Sequence, residues 1–253
     1  MRIQLAVVLS AALLSACSSQ PKMTKVPVNS GQQCYEEKSR EMSVRLDLIR
    51  QTVAEGQYYS AIAHLERERF TSDGARFLMA ESLRKSGQPH KALEQYEELK
   101  SGCLHALGFL GAGKIHAITG NLQKALAELK VARDLLPTDA NIRNDYGFAL
   151  LANGQYPQAQ QEFLTAIQLQ NEHPIAIKNL VLALILDRDA KAAWAVAEHH
   201  KMTPESFQNL MVRAAQFRKA SVRNGKNAVA NVPVAMPDSG LEQPILIRTG
   251  ETL

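Results

Sequence analysis

Residues 120–129 read GNLQKALAEL: a glycine, an alanine five residues later, then a leucine at helical spacing. The same arrangement stands at 87–96, GQPHKALEQY, and at 154–163, GQYPQAQQEF. Gly87, Gly120 and Gly154 are 33 and 34 residues apart, and so are Ala92, Ala125 and Ala159. An earlier copy, GQYYSAIAHL, begins at Gly56. A later, degenerate one, DRDAKAAWAV, carries Ala193 and has Arg188 in place of the glycine. A fixed period of this size marks one supersecondary unit copied and stacked. Glycine after a helix supplies the left-handed conformation that ends it. Small residues are needed where two helices cross closely. Between these points the spacing is helical, with Leu126, Leu129, Ala132 and Leu136 on one face. Helix starts are marked by Asp139 ahead of Ala140, and by Thr203-Pro204-Glu205, a cap, a first-turn proline and an acid.

The pattern resembles the tetratricopeptide repeat, two antiparallel helices in about 34 residues. One copy matches through Ala112-Gly113, Gly120, Leu122, Ala125, Leu129, Ala132 and Pro137; the next matches through Tyr146-Gly147, Gly154, Tyr156, Ala159, Phe163 and Ala166. It departs in lacking the family's first-helix tryptophan, where Phe109 and Arg143 stand, and in carrying Asn171 for a closing proline, with Pro174 three residues on. The resemblance implies an all-α, right-handed solenoid of about 4–5 helical hairpins. We expect repeats at about 42–72, 73–105, 106–139, 140–173 and 174–201, a capping helix over 202–220 and a disordered tail over 221–253. On the capping helix, Ser206, Gln208 and Arg213 are expected to face solvent. In the tail, 244–248 (PILIR) is the one stretch suited to adding as a strand to a partner sheet.

The first seventeen residues, MRIQLAVVLSAALLSAC, have a basic start, an apolar run and small residues, the layout of a secretory signal. The run is too short for the roughly 20 residues a membrane-spanning helix needs. Leu14-Ser15-Ala16-Cys17 resembles the bacterial lipobox. That resemblance implies removal of residues 1–16 and lipid attachment at Cys17, with 17–41 as a lipidated tether and arm. Ser18, where enterobacterial sorting would read aspartate as retention in the inner membrane, points to the outer membrane with the body in the periplasm.

Lys+Arg number 29 and Asp+Glu 25, a surplus of +4 without clustering, so no nucleic-acid partner is expected. Gly108 to Ile115 (GFLGAGKI) imitates a phosphate-binding loop, but it lacks the final hydroxyl and lies within a repeat helix. The seven histidines are scattered and are expected at the surface; no catalytic residue, metal, cofactor or small-molecule substrate is expected. Trp194 is expected to be buried between helices. For Cys34 and Cys103 two readings stay open, a disulfide or two free thiols.

In a stacked solenoid the first helix of each hairpin lines one side. Lys114, Asn141, Asn144, Asp145, Phe148, Lys178, Asn179 and Leu182 are therefore expected as exposed groove residues that bind a partner segment. Lipobox, length and repeat number together resemble the TadD-type lipoproteins of the tight-adherence (Flp) pilus assembly system. This implies help in localising or assembling the outer-membrane secretin, and so in pilus biogenesis and adherence. A type IV pilus pilotin or a peptidoglycan-hydrolase adaptor lipoprotein, both also scaffolds, is the alternative reading. An enzyme with an unrecognised hydrolytic site is the alternative from another class.

Overall fold

The structure, a computed structural model, describes residues 34–170 and 172–223. The signal segment 1–16, Cys17, the tether up to residue 33, Asn171 and the tail from 224, including 244–248, lie outside the described residues. Among the described residues every regular element is an α-helix, and no helix is long and apolar enough to cross a membrane. Five hairpins follow one another: α1 (Arg40–Ala54) with α2 (Tyr58–Arg67), α3 (Asp73–Lys85) with α4 (Pro89–Leu99), α5 (His105–Ile118) with α6 (Leu122–Leu135), α7 (Ala140–Ala152) with α8 (Tyr156–Leu169), and α9 (Pro174–Leu186) with α10 (Ala190–His199). Among the described residues a final helix, α11 (Pro204–Arg223), follows the fifth hairpin and runs three residues past the boundary expected from sequence.

Each hairpin packs on the next in chain order. The first helices touch one another in series, α1 to α3, α3 to α5, α5 to α7 and α7 to α9. This is a solenoid, in which each unit is stabilised by its two neighbours. The repeat alanines Ala61, Ala92, Ala125, Ala159 and Ala193 are all 0% exposed, so no larger side chain fits where they stand. A Cβ on Gly113 would lie 2.6 Å from Leu129 Cγ, and one on Gly147 2.8 Å from Phe163 Cε1. Those distances are why small residues mark the crossings of α5 with α6 and α7 with α8.

The hairpin turns are set by Gly56, Gly87, Gly120 and Gly154, all with φ between 76° and 82°. Arg188 takes φ 67° at the corresponding place in the fifth hairpin. An L-residue held there costs roughly 1–2 kcal/mol, and the packing of α9 and α10 imposes it. Asp139 caps α7 by accepting the Ile142 amide at 3.0 Å, and Thr203 caps α11 by accepting the Ser206 amide at 3.2 Å.

The N-terminal arm is strapped across the start of α3. Cys34 and Cys103 form a disulfide, with Cα atoms 5.9 Å apart. The Tyr35 ring occupies the space beside Gly74, and the Arg50 guanidinium lies 4.5 Å from its centroid. The Glu37 carboxylate accepts the Thr71 and Ser72 amides, each at 3.0 Å, and the Ser72 hydroxyl at 2.6 Å. Burial raises its pKa, and these hydrogen bonds outweigh that and hold it below the usual range.

Two expectations are corrected. Trp194 is exposed, its ring edge-to-face with Phe207 at 5.3 Å, because it lies on the outer side of α10. His116 and His173 are buried rather than at the surface.

Candidate functional site

The face made by the first helices carries one position in register: six residues ahead of each turn residue stand Glu81 on α3, Lys114 on α5, Phe148 on α7 and Leu182 on α9. All four are buried. The series changes along the stack from charged to apolar.

In the charged half, Lys114 Nζ meets Asp145 Oδ2 at 3.0 Å, with 4% and 0% of the two side chains exposed. Charges so far from water persist only when paired. Glu81 is held by the Arg84 guanidinium at 2.8 Å, and the Tyr96 hydroxyl donates to the same carboxylate. Burial pushes the Glu81 pKa up, but Arg84, Lys114 and Tyr96 together bring it below the ordinary carboxylate value. Burial and the adjacent Glu81 charge push the Tyr96 phenol well up, so it remains a donor. Asn144 Nδ2 lies 3.4 Å from Asp145 Oδ1, and Asn144 Oδ1 accepts from Asn179 Nδ2 at 2.9 Å. A buried polar chain thus joins α5, α7 and α9, and the Lys114 charge also acts on Glu81 of α3.

Of the residues expected to line an open groove, Lys114, Asn144, Asp145, Phe148, Asn179 and Leu182 are buried; Asn141 is half-buried and Lys178 is exposed. The expectation of exposure is corrected for those six. Lys114, Phe148 and Leu182 do share one register, but periodicity does not reveal what covers a face. Lys114 and Asp145 cover each other across two hairpins. Phe148 is covered by α11: Phe217 packs edge-to-face on it at 6.5 Å, and the Arg213 guanidinium lies 5.3 Å from its ring centroid. Arg213 therefore does not face solvent as expected of it. Asn141 Oδ1 is 3.1 Å from His173 Nε2. Glu81, Arg84 and Tyr96 were missed, although Glu81 stands at the same repeat position as Lys114.

The phosphate-loop lookalike Gly108 to Ile115 lies within helix α5, and its lysine is the one paired with Asp145. One cluster among the described residues has metal-ligand spacing: atoms of Glu97, His116 and Glu128 lie within 4.8 Å of one another. Lys100 Nζ stands 2.8 Å from a carboxylate oxygen of each glutamate, so a resident ammonium already balances that charge.

The register, the repeat alanines and the in-series packing define a tetratricopeptide-type helical solenoid. No family model matches the sequence. The chain is 29% identical over 221 residues to a TPR repeat-containing protein of Pseudomonas aeruginosa, covering 87% of this chain and 86% of that protein. In fold it is similar to a thermophilic TPR protein from Thermus thermophilus, with TM-score 0.54 and 21% identity over 69% of this chain and 97% of that one. It is also similar to MamA from Desulfovibrio magneticus, with TM-score 0.52 and 15% identity over 72% of this chain and 97% of that one.

Proposed function

We propose that this chain is a scaffold, not an enzyme. In this reading it is anchored by lipid at Cys17 to the bacterial outer membrane and binds partner proteins from the periplasmic side. The observation that carries the scaffold reading is the unbroken stack of five hairpins, whose first helices share one face from α1 to α9. A stack of this kind offers extended surface. Its buried charges are paired with one another rather than turned towards a cleft.

Joined to the lipobox at Leu14–Cys17, that architecture supports assistance to the outer-membrane secretin during assembly of a tight-adherence (Flp) pilus. The test is recovery of partners on the immobilised mature chain from detergent-solubilised envelopes. We expect the secretin to be enriched. Enrichment of amidases or transpeptidases instead would discard the pilus reading in favour of a peptidoglycan-hydrolase adaptor. In the same cells Cys17→Ser is expected to abolish labelling by radioactive palmitate and to release the chain from the membrane fraction.

A further inference from the structure

Glu97 near the end of α4, His116 near the end of α5 and Glu128 on α6 bring together one ligand-type atom each, all within 4.8 Å of one another. His116 stands four residues ahead of its turn glycine, where three other copies carry Leu83, Leu150 and Leu184. Those leucines are buried, and so is the histidine, at 8% exposed. Its ring makes no hydrogen bond among the described residues, although an unpartnered buried polar group is costly. Glu128 Oε2 is also buried, and Lys100 Nζ lies 2.8 Å from it without the geometry of a hydrogen bond. An imidazole and a carboxylate oxygen thus meet at one spot with their lone pairs unmatched.

The next copy is an internal comparison. Glu162, at the place of Glu128, is held by Arg133 at 3.4 Å and Arg143 at 2.7 Å. In the third hairpin and its border with the second, Lys100 takes the place of Arg133, Phe109 that of Arg143, Glu97 that of Lys130 and His116 that of Leu150. The exchange removes two guanidinium forks and supplies an acid and an imidazole. Lysine is a point charge on a flexible stem, not a fixed fork. Here its single ammonium lies 2.8 Å from an oxygen of each of two carboxylates.

We propose that Glu97, His116 and Glu128 are the protein ligands of a zinc-class divalent cation that clips the second hairpin to the third. One imidazole nitrogen and two carboxylate oxygens suit Zn²⁺, whereas Ca²⁺ and Mg²⁺ take oxygen ligands. Three protein ligands leave a fourth tetrahedral position for water. Ligand atoms at about 2.0–2.2 Å from the ion stand roughly 3–3.5 Å apart, so small side-chain rotations close the set. Glu97, with 47% of its side chain exposed, has room for that movement and lies on the side from which the ion enters. The ion displaces the Lys100 ammonium, whose Nζ has the Phe109 ring beside it, 5.0 Å from the centroid. The clip ties α4 to α5 and α6 whatever the scaffold binds, so it does not depend on the scaffold reading.

The test uses the mature chain carrying Cys17→Ser, which removes the one cysteine outside the disulfide. The chain is stripped with a chelator and titrated with Co²⁺, which stands in for Zn²⁺ and is visible through its d–d absorption. We expect saturation at one ion per chain and loss of the bands when Zn²⁺ is added. His116→Leu installs the residue of the neighbouring copies and so keeps the fold. It is expected to weaken Zn²⁺ binding at least about a hundredfold, since loss of an outer partner alone costs about 10–100-fold. Glu97→Gln, at an exposed position, is expected to weaken binding at least about tenfold, and it keeps the test decisive if His116→Leu does not fold. Lys100→Met removes the competing ammonium and is expected to tighten binding. Zn²⁺ should raise the thermal unfolding temperature of the parent chain and leave that of His116→Leu unchanged. Absence of saturable binding, or a His116→Leu or Glu97→Gln chain that binds Zn²⁺ as tightly as the parent, or a Lys100→Met chain that binds no tighter, would overturn the proposal. No partner protein enters these measurements, so their outcome and that of the secretin experiment are independent.

Discussion

His173 caps α9 by accepting the Ala176 amide on Nδ1 at 3.2 Å, and its Nε2 lies 3.1 Å from Asn141 Oδ1. Both contacts are satisfied by the neutral ring with its proton on Nε2, which then donates to Asn141. Burial lowers the His173 pKa, outweighing its own backbone hydrogen bond and the attraction of Asp145 and Asp139; burial likewise lowers that of His116. The unfolded chain, titrating near 6.5, therefore binds more protons than the folded one just below that pH. Stability is full above about 6.5 and declines as pH falls towards the folded-state values. Loss of the His173 cap should contribute about 1 kcal/mol of that decline. His173→Asn keeps a capping oxygen that does not titrate. Urea unfolding between about pH 7.5 and 5.5, either side of the ordinary imidazole value, is expected to show a shallower fall for this variant than for the wild type. None of this was legible from sequence, where His173 is one scattered histidine among seven. Arg188 is the opposite case: the repeat period located it at a turn, and it adopts the left-handed backbone that glycine takes in the other copies.

At the scale of helices, the Lys114–Asp145 pair clamps α5 to α7. Lys114→Met would leave the Asp145 carboxylate without its buried cation and is expected to cost about 3–5 kcal/mol. The double variant Lys114→Met/Asp145→Leu removes both charges and should recover most of that loss. Chemical denaturation of the two singles and the double forms a cycle, and additive single losses would show that the pair is not the clamp. The hairpins themselves were readable, because turn glycines, repeat alanines and the period of 33 or 34 residues each express a local steric demand. The environment of the expected groove residues was not. The apolar period of α11 tells which side is buried but not that it is buried against α9, with Phe217 and Arg213 reaching on to Phe148 of α7. Likewise, the opposite charges of Lys114 and Asp145 lie 31 residues apart, and only the stacking of hairpins brings them together.

Over the whole molecule, stability is distributed along the stack, and the Cys34–Cys103 bond adds one constraint across it, closing a loop with a sequence separation of 69. Most of its effect falls on the unfolded chain, whose freedom it restricts. Cys34→Ser/Cys103→Ser is expected to lower unfolding free energy by about 2–4 kcal/mol in urea titrations, while helical circular dichroism at room temperature is retained. The Tyr35 and Glu37 contacts should hold the arm in place even so.

The same sulfur bridge sets where a mechanical force enters. Tension applied from the N-terminal side arrives at Cys34 and crosses directly to Cys103. Residues 35–102, comprising the first two hairpins, are thereby taken out of the line of pull, and the strain falls on the third hairpin and whatever is bound beyond it. Reduction of the bridge would return α1 to α4 to that line, where they would extend before the rest of the stack.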